Sequence, residues 1–432
     1  MRDNLNEIEN LLQNVSSPLI CPGLSRMARL MTALGNPERN FQAVHVAGTN
    51  GKGSISAMLE SVFLKAGYRT CLYTSPHLVD ITERIRFCGI PSSKEIFLDS
   101  VKEVCSAVRS NFDQKNRPTY FEVLTAAAFH SIARYAPDIA IVEAGMGGRL
   151  DATNILKGVV MSVIATIGMD HSEFLGPDLG AIAMEKFLVL RPGGISVFSG
   201  GNSELESRYD QLCERISNKG LVASREACIK DPETGVDRNS FLLATGNMEL
   251  GRFTTSLGGI FQLENARTAI LAALGLADKY SGINLSTVKS GLSSTDWPGR
   301  LEKVSFRGRE LILDGGHNLE GVAGTTETLR LCGYSNNCAV VFAAMKDKDL
   351  QGMIRKIVEN FPFVVFTSVP GTARSANPWN LLDMARTMNT ETFLDVEEEP
   401  MKAIEKAYGF AGRILCCGSL FLVGEVKKQI RG

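Results

Sequence analysis

Short apolar runs alternate along this chain with longer segments whose apolar positions recur every three or four residues, a pattern that predicts strands and covering helices in turn. In the first part the strand-like runs are Ala43–Ala47, Thr70–Thr74, Ile139–Glu143, Val159–Thr166 and Ile195–Ser199. Helical periodicity marks Lys94–Arg109, Phe121–Tyr135 and Leu263–Lys279. This alternation predicts an α/β protein built on a mostly parallel sheet with helices on both faces. The polar, glycine-dotted stretch 221–257 predicts short antiparallel strands at the edge of the first domain. A turn-rich segment, Ser293–Arg300 (S-S-T-D-W-P-G-R), then breaks the pattern and reads as a linker. Beyond it the runs Glu310–Leu313, Ala339–Phe342, Phe363–Thr367, Thr392–Leu394 and Ile414–Cys416 predict a second, smaller doubly wound domain. The expected division is 1–296 and 297–432, since a chain of 432 residues exceeds the size at which single cores stop growing.

The junction at Val44–Ser54, V-H-V-A-G-T-N-G-K-G-S, carries the most specific chemistry. Gly48, Gly51 and Gly53 remove side chains where the backbone must turn and approach an anion, so that its N–H groups, those of Thr49 and Asn50 included, can face phosphate oxygens. Lys52 adds a point charge, and Ser54 offers a hydroxyl to a magnesium ion. A helix predicted over Ile55–Ala66 turns its positive end toward the same phosphates. Two positions depart from the strict phosphate-loop pattern: Val46 stands where a glycine is usual, and Gly53 separates Lys52 from Ser54. The alternative reading is an ordinary glycine turn between strand and helix.

Composition narrows the classes. With 46 basic and 47 acidic residues there is no global field to attract nucleic acid or an anionic membrane. The longest apolar strand-like run, Val159–Ile167, is too short to cross a bilayer, and no basic start leads into an apolar stretch. The ten cysteines form no C-x-x-C pair, so neither a zinc site nor a disulfide framework is indicated, and reduced thiols in a cytoplasmic protein are expected.

Further candidates lie where predicted strands end, the place α/β sheets put their ligands. Ser75, in T-S-P-H-L, could reach a cation, although a serine before proline is commonly just a turn residue. Glu143 closes an apolar run and precedes A-G-M-G-G-R, which suits a magnesium ligand better than a structural carboxylate. Asp170-His171 ends another run, with a packed or solvated histidine as the plain alternative. Lys186, inside a predicted helix, reads by default as a surface charge.

Taken together, these segments resemble the folylpolyglutamate synthase and dihydrofolate synthase family, within the ATP-dependent Mur-type ligases. The resemblance rests also on S-P-H-L (75–78), E-R-I (83–85), T-Y-F-E (119–122), E-A-G-M-G-G-R-L-D-A-T-N (143–154) and D-H (170–171). In the second half it adds E-N-A (264–266), P-G-R (298–300), D-G-G-H-N (314–318), M-K-D-K-D (345–349) and G-S-L-F-L-V-G-E (418–425). It implies a P-loop Mur-ligase-type ATPase domain and a smaller C-terminal Rossmann-like α/β domain that binds glutamate. By the same resemblance, ATP is held by Gly48–Ser54, Asn265, Arg300 and Asp314, and magnesium by Ser75, Glu143 and His171. Lys186 matches a lysine carried as a carbamate in family members. Thr119, Phe121, Glu122 and Asp151 fall where relatives bind the pteroate-type substrate, and His317 and Ser419 near the expected glutamate pocket. A monomer is implied as well.

The implied reaction joins L-glutamate to a folate, with dihydropteroate as a further candidate acceptor. A carboxylate is a poor acyl donor, so ATP first converts it to an acyl phosphate, which the glutamate amine then attacks. The protein's share is alignment, charge neutralisation by Lys52, Arg300 and magnesium, and exclusion of water by domain closure. Two other readings remain: a Mur-type ligase acting on a cell-wall precursor, against which T-Y-F-E and S-P-H-L speak, and a non-catalytic nucleotide switch, which lacks a suitably placed N-K-x-D segment. Gly316 and Leu319 depart from the family's usual D-G-A-H-N-P, and Arg374 stands in R-S-A-N rather than an R-A-L type run.

Overall fold

The computed structural model describes residues 2–17, 21–246, 248–388 and 391–431. They gather into two compact units. The first comprises Met1–Cys228, Leu243–Leu250 and Asn265–Ser294; the second comprises Ile229–Leu242, Gly251–Glu264 and Thr295–Gly432. Segments 229–242 and 251–264, assigned from sequence to 1–296, thus cluster with the second unit.

The first unit is built on eight strands: β1 (Ala43–Ala47), β2 (Thr70–Tyr73), β3 (Ile85–Phe87), β4 (Ile90–Pro91), β5 (Ile139–Glu143), β6 (Val159–Ile164), β7 (Ile195–Phe198) and β8 (Lys219–Val222). Their order is β4-β3-β2-β5-β1-β6-β7-β8, parallel throughout except for β3 and β4. β1 lies between β5 and β6 and is buried along its whole length, as a strand covered on both faces must be. One face carries helices Lys94–Asn111 and Tyr120–Tyr135, whose Phe97, Val101, Val123 and Phe129 pack with Tyr73 and Val142. Elsewhere Phe187, Phe198 and Tyr209 meet with ring centroids 5.2–5.4 Å apart. Each fully buried ring of this kind contributes on the order of 2 kcal/mol by removal from water.

The next three strands, β9 (Cys228–Thr234), β10 (Asn239–Thr245) and β11 (Met248–Thr255), form a separate sheet of order β11-β10-β9. The sequence predicts short antiparallel strands here at the edge of the first domain; they form a sheet of their own, apart from the large sheet, whose edges are β4 and β8.

The second unit holds a six-stranded sheet of β12 (Glu302–Phe306), β13 (Arg309–Leu313), β14 (Ala339–Phe342), β15 (Phe363–Phe366), β16 (Phe393–Val396) and β17 (Arg413–Cys417). The order is β12-β13-β17-β14-β15-β16, with β12 antiparallel to β13 and the remaining pairs parallel. Val340, Phe342, Phe366, Leu381 and Leu415 are among its fully buried core residues. No helix among the described residues is long and apolar enough to cross a membrane.

Candidate functional site

β1 runs into the glycine turn, and the helix that follows begins at Lys52, one turn earlier than its periodicity announces. Two of the turn's glycines are obligatory for steric reasons. Gly48 has φ +151°, and a Cβ there would sit 2.6 Å from Ala165 Cβ; Gly51 has φ +87°, and its Cβ would sit 2.1 Å from Asn265 Oδ1. Asn265 is buried against the turn. The turn is fastened to the strand-end segment after β6: Thr49 N donates to Thr166 O (2.8 Å), Thr166 Oγ1 to Asn50 O (3.1 Å), and Thr49 Oγ1 to Gly168 O (3.1 Å). Ser54 is buried in the first turn of the helix.

Lys52 Nζ folds back to donate to Gly48 O and Thr49 O, both at 3.1 Å. Lys186 arrives from the helix Leu179–Phe187 and donates to the same Gly48 O at 2.9 Å. Its default reading as a surface charge is corrected: the residue is 3% exposed. Burial, and secondarily the positive charge of Lys52, bring its pKa down to about 7, against the pull of Asp170 and Asp151. A lysine amine that is half neutral near pH 7 is nucleophilic.

Parallel pairing of Val46 with Glu143 sets the carboxylate at the end of β5 beside the start of the turn. Glu143 is buried, and its Oε2 accepts from Ser75 N at 3.3 Å, so the structure brings these two predicted residues together. His171 lies on the loop after β6, partly exposed, with Nε2 3.9 Å from Asp170 Oδ2. No group of three or more His, Cys, Asp or Glu side chains suited to a metal gathers among the described residues.

Phe121 packs on the loop after β5, where a Cβ on Gly145 would fall 2.4 Å from its ring. Asp151 is buried in the same loop; its Oδ2 accepts from Met146 N (2.9 Å) and its Oδ1 from Thr153 N (2.9 Å) and Thr153 Oγ1 (2.5 Å). Burial raises its pKa, an effect that these hydrogen bonds oppose. Thr119 and Glu122 form a capping box on the helix Tyr120–Tyr135, and Glu122 Oε2 also accepts from Arg26 Nε at 3.0 Å. The T-x-x-E spacing announces that cap, so these side chains have structural work besides the role predicted for them. Sequence reasoning missed His45 and Thr153, whose ring Nε2 and hydroxyl lie 2.8 Å apart behind Asp151. The available signal was a histidine inside an otherwise apolar strand.

In the second unit Asp314 follows β13, 2% exposed. It accepts from Leu301 N (3.0 Å), Gly316 N (3.0 Å) and Thr325 Oγ1 (2.7 Å). A Cβ on Gly315 would fall 2.5 Å from an Arg300 guanidinium nitrogen, which places Arg300 against the residue that follows Asp314. A Cβ at Gly316 would lie 2.8 Å from Asp314 Oδ1, so the departure from alanine gives the carboxylate room. His317 Nδ1 is 3.0 Å from Gly315 O, and the buried Ser419 follows β17, the parallel neighbour of β13. Arg300, Asp314, His317 and Ser419 thus collect at the carboxyl ends of adjacent strands. A cavity of about 840 Å³ elsewhere in this unit, lined by Arg355, Phe361 and Thr387 among others, contains none of them.

Comparison with known proteins gives three further findings. Residues 299–420 match the family model described as Mur ligase, glutamate ligase domain. The chain is 34% identical over 415 residues to the dihydrofolate synthase/folylpolyglutamate synthase of Bacillus subtilis, with 95% of both chains covered, and 32% identical to a probable dihydrofolate synthetase of Schizosaccharomyces pombe, with 95% of this chain and 98% of the other covered. The solved structure of Mycobacterium tuberculosis folylpolyglutamate synthase complexed with ADP superposes with a TM-score of 0.89 at 27% identity, over 99% of this chain and 98% of that one.

Proposed function

This chain belongs to the dihydrofolate synthase/folylpolyglutamate synthase family, and from that premise we propose that it is an ATP-dependent ligase joining L-glutamate to a folate through an acyl phosphate, with dihydropteroate as a further acceptor. The observation that carries the reading is the glycine turn at 48–53, where Lys52 and Lys186 converge on one carbonyl oxygen at the start of a helix. Such a turn offers amides, a helix N-terminus and fixed positive charge to a triphosphate. In this reading Gly48–Ser54, Asn265, Arg300 and Asp314 serve ATP; Thr119, Phe121, Glu122 and Asp151 serve the folate; His317 and Ser419 serve glutamate.

Magnesium fits the donors present. Glu143 supplies a buried carboxylate and Ser75 a hydroxyl on the adjoining loop, with His171 assigned beside them; an ion that keeps several waters and takes substrate phosphates needs few protein ligands. When bound, it would neutralise phosphate charge. The rest falls to the chain itself. Lys52 aligns and offsets the γ-phosphoryl group, the already ionised acid attacks it, and no protein base is needed for that step. The glutamate amine then displaces phosphate from the activated carbonyl.

Scattered cysteines with no C-x-x-C pair accord with a reducing, cytoplasmic setting, and a monomer is proposed by likeness to the family. The test supplies ATP, magnesium and glutamate with either dihydropteroate or tetrahydrofolate and weighs the products. A glutamyl adduct formed together with ADP and phosphate is expected. Absence of an adduct with both acids, from protein that hydrolyses ATP in their presence, overturns the assignment.

A further inference from the structure

His45 sits in the middle of β1, paired to Val142 of β5 on one side and Ser162 of β6 on the other, and is fully buried. A polar ring there is costly unless its nitrogens are used. Nε2 is used, 2.8 Å from Thr153 Oγ1. That hydroxyl stands 2.5 Å from Asp151 Oδ1, and an ionised carboxylate only accepts, so the hydroxyl hydrogen points to Asp151 and its lone pair faces the imidazole. The donors therefore run one way, from His45 Nε2–H to Thr153 and from Thr153 O–H to Asp151. This fixes the neutral tautomer and leaves Nδ1 buried without a partner. Burial, with the nearby charge of Arg191, lowers the pKa to about 3, so the ring stays neutral in ordinary use.

The idle Nδ1 is informative. A valine or phenylalanine would fill the strand without an unpaired polar atom, so packing alone does not account for a histidine here. The work done through Nε2 does. Asp151 spans the loop after β5, through Met146 N, and the turn Ala152–Ile155, through Thr153 N and Oγ1. Arg191 holds the far end of that turn by donating to Asn154 O (3.3 Å) and Leu156 O (3.2 Å). With Thr153 directed by His45, the carboxylate cannot swing without breaking the series.

We propose that His45 is a positioning residue for the acid substrate: acting through Thr153, it locks the Asp151 carboxylate in the orientation that receives ring N–H donors of the folate or dihydropteroate. This rests on the assignment of Asp151 to that substrate made above.

The test compares His45→Phe, His45→Gln, Thr153→Val and the double variant His45→Phe/Thr153→Val in steady-state kinetics, with calorimetric titration of dihydropteroate in the absence of ATP. His45→Phe raises KM and Kd for the acid about tenfold, the scale of a lost hydrogen bond to a charged group, while KM for ATP and glutamate and kcat stay within about twofold. His45→Gln, which keeps a donor near the Nε2 position, recovers most of the loss. Thr153→Val reproduces the defect, and the double variant is no worse than either single one, because both act through one hydroxyl. A parallel rise in all three KM values with a fall in Tm, or a folded His45→Gln with no recovery, overturns the proposal in favour of a packing role. Should His45→Phe not fold, Thr153→Val decides the outcome by the same split. Asp151→Asn separates the two layers. Unchanged acid affinity in Asp151→Asn removes the assignment of Asp151 and the relay with it, whereas weakened affinity there beside unaffected His45 and Thr153 variants removes the relay alone.

Discussion

Lys52 and Lys186 donate to the same acceptor, the Gly48 carbonyl oxygen, at 3.1 and 2.9 Å. Burial first, and then repulsion between the two positive charges, lower the pKa of Lys186. An oxyanion brought to the turn would relieve that repulsion.

The first prediction concerns Lys52. Lys52→Ala abolishes ATP turnover, by about a thousandfold or more for loss of a cationic stabiliser of the transferring phosphoryl group, and leaves the far-ultraviolet spectrum unchanged. The same substitution raises the pKa of Lys186 by removing its positive neighbour. Normal glutamate-dependent phosphate release by this variant would refute the assignment.

Lys186 is expected to take up carbon dioxide. The neutral amine attacks CO2, a C–N bond forms, and one proton leaves to solvent, which gives a carbamate anion. Because the amine is half neutral at about pH 7, uptake should rise through that pH and level off above it. Protein equilibrated with ¹³C-bicarbonate should show a carbamate carbon resonance that Lys186→Ala lacks. A spectrum identical in the two proteins would leave Lys186 as a buried amine and nothing more.

Glu143→Ala is predicted to raise the magnesium concentration needed for half-maximal activity by about tenfold or more, since a charged ligand is lost from a site with few protein donors. Titration of magnesium at saturating ATP measures it; an unchanged requirement takes Glu143 out of the site.

Asp314 should contribute to the stability of the second unit. Its carboxylate gathers Leu301 N, Gly316 N and Thr325 Oγ1, so Asp314→Ala leaves buried donors unpaired and costs about 2–4 kcal/mol in urea unfolding. Thr325→Val removes one of those bonds and costs about 1 kcal/mol. Equal midpoints for the three proteins would contradict this account.

Acid stability follows from His45. Its folded pKa, about 3, lies below the unfolded value near 6.5, so between these limits the unfolded chain binds the extra proton. Stability from this source is complete above pH 6.5 and is lost as pH falls toward 3. His45→Gln should flatten the midpoint-versus-pH curve in that window, which denaturant titrations at several pH values will measure.

The sequence exposed the parts whose signals are local. Glycine spacing announced the turn at 48–53, and β1, β5 and β14 were found to the residue because a doubly covered strand is a continuous apolar run. Strands β3, β4, β8 and β12 escaped because they are short or carry exposed polar positions, without a continuous apolar run to mark them. The helix read as Leu263–Lys279 spans Phe261–Leu274 and stops before Gly275. Lys186 could not be read as buried, since its partner carbonyl lies 138 positions away in the chain, and His45 for the same reason gave no hint of Thr153, 108 positions on. Such meetings are decided by sheet order, which composition and periodicity do not encode.

The approach of Asn265 to Gly51 has a consequence for how this chain can vary. The amide oxygen occupies the volume a methyl group at 51 would need. Any lineage that gained a side chain at 51 would first have to shorten or redirect the one at 265, so the two sites are expected to drift as a pair, and a library that randomises either alone should return mostly the parental residue.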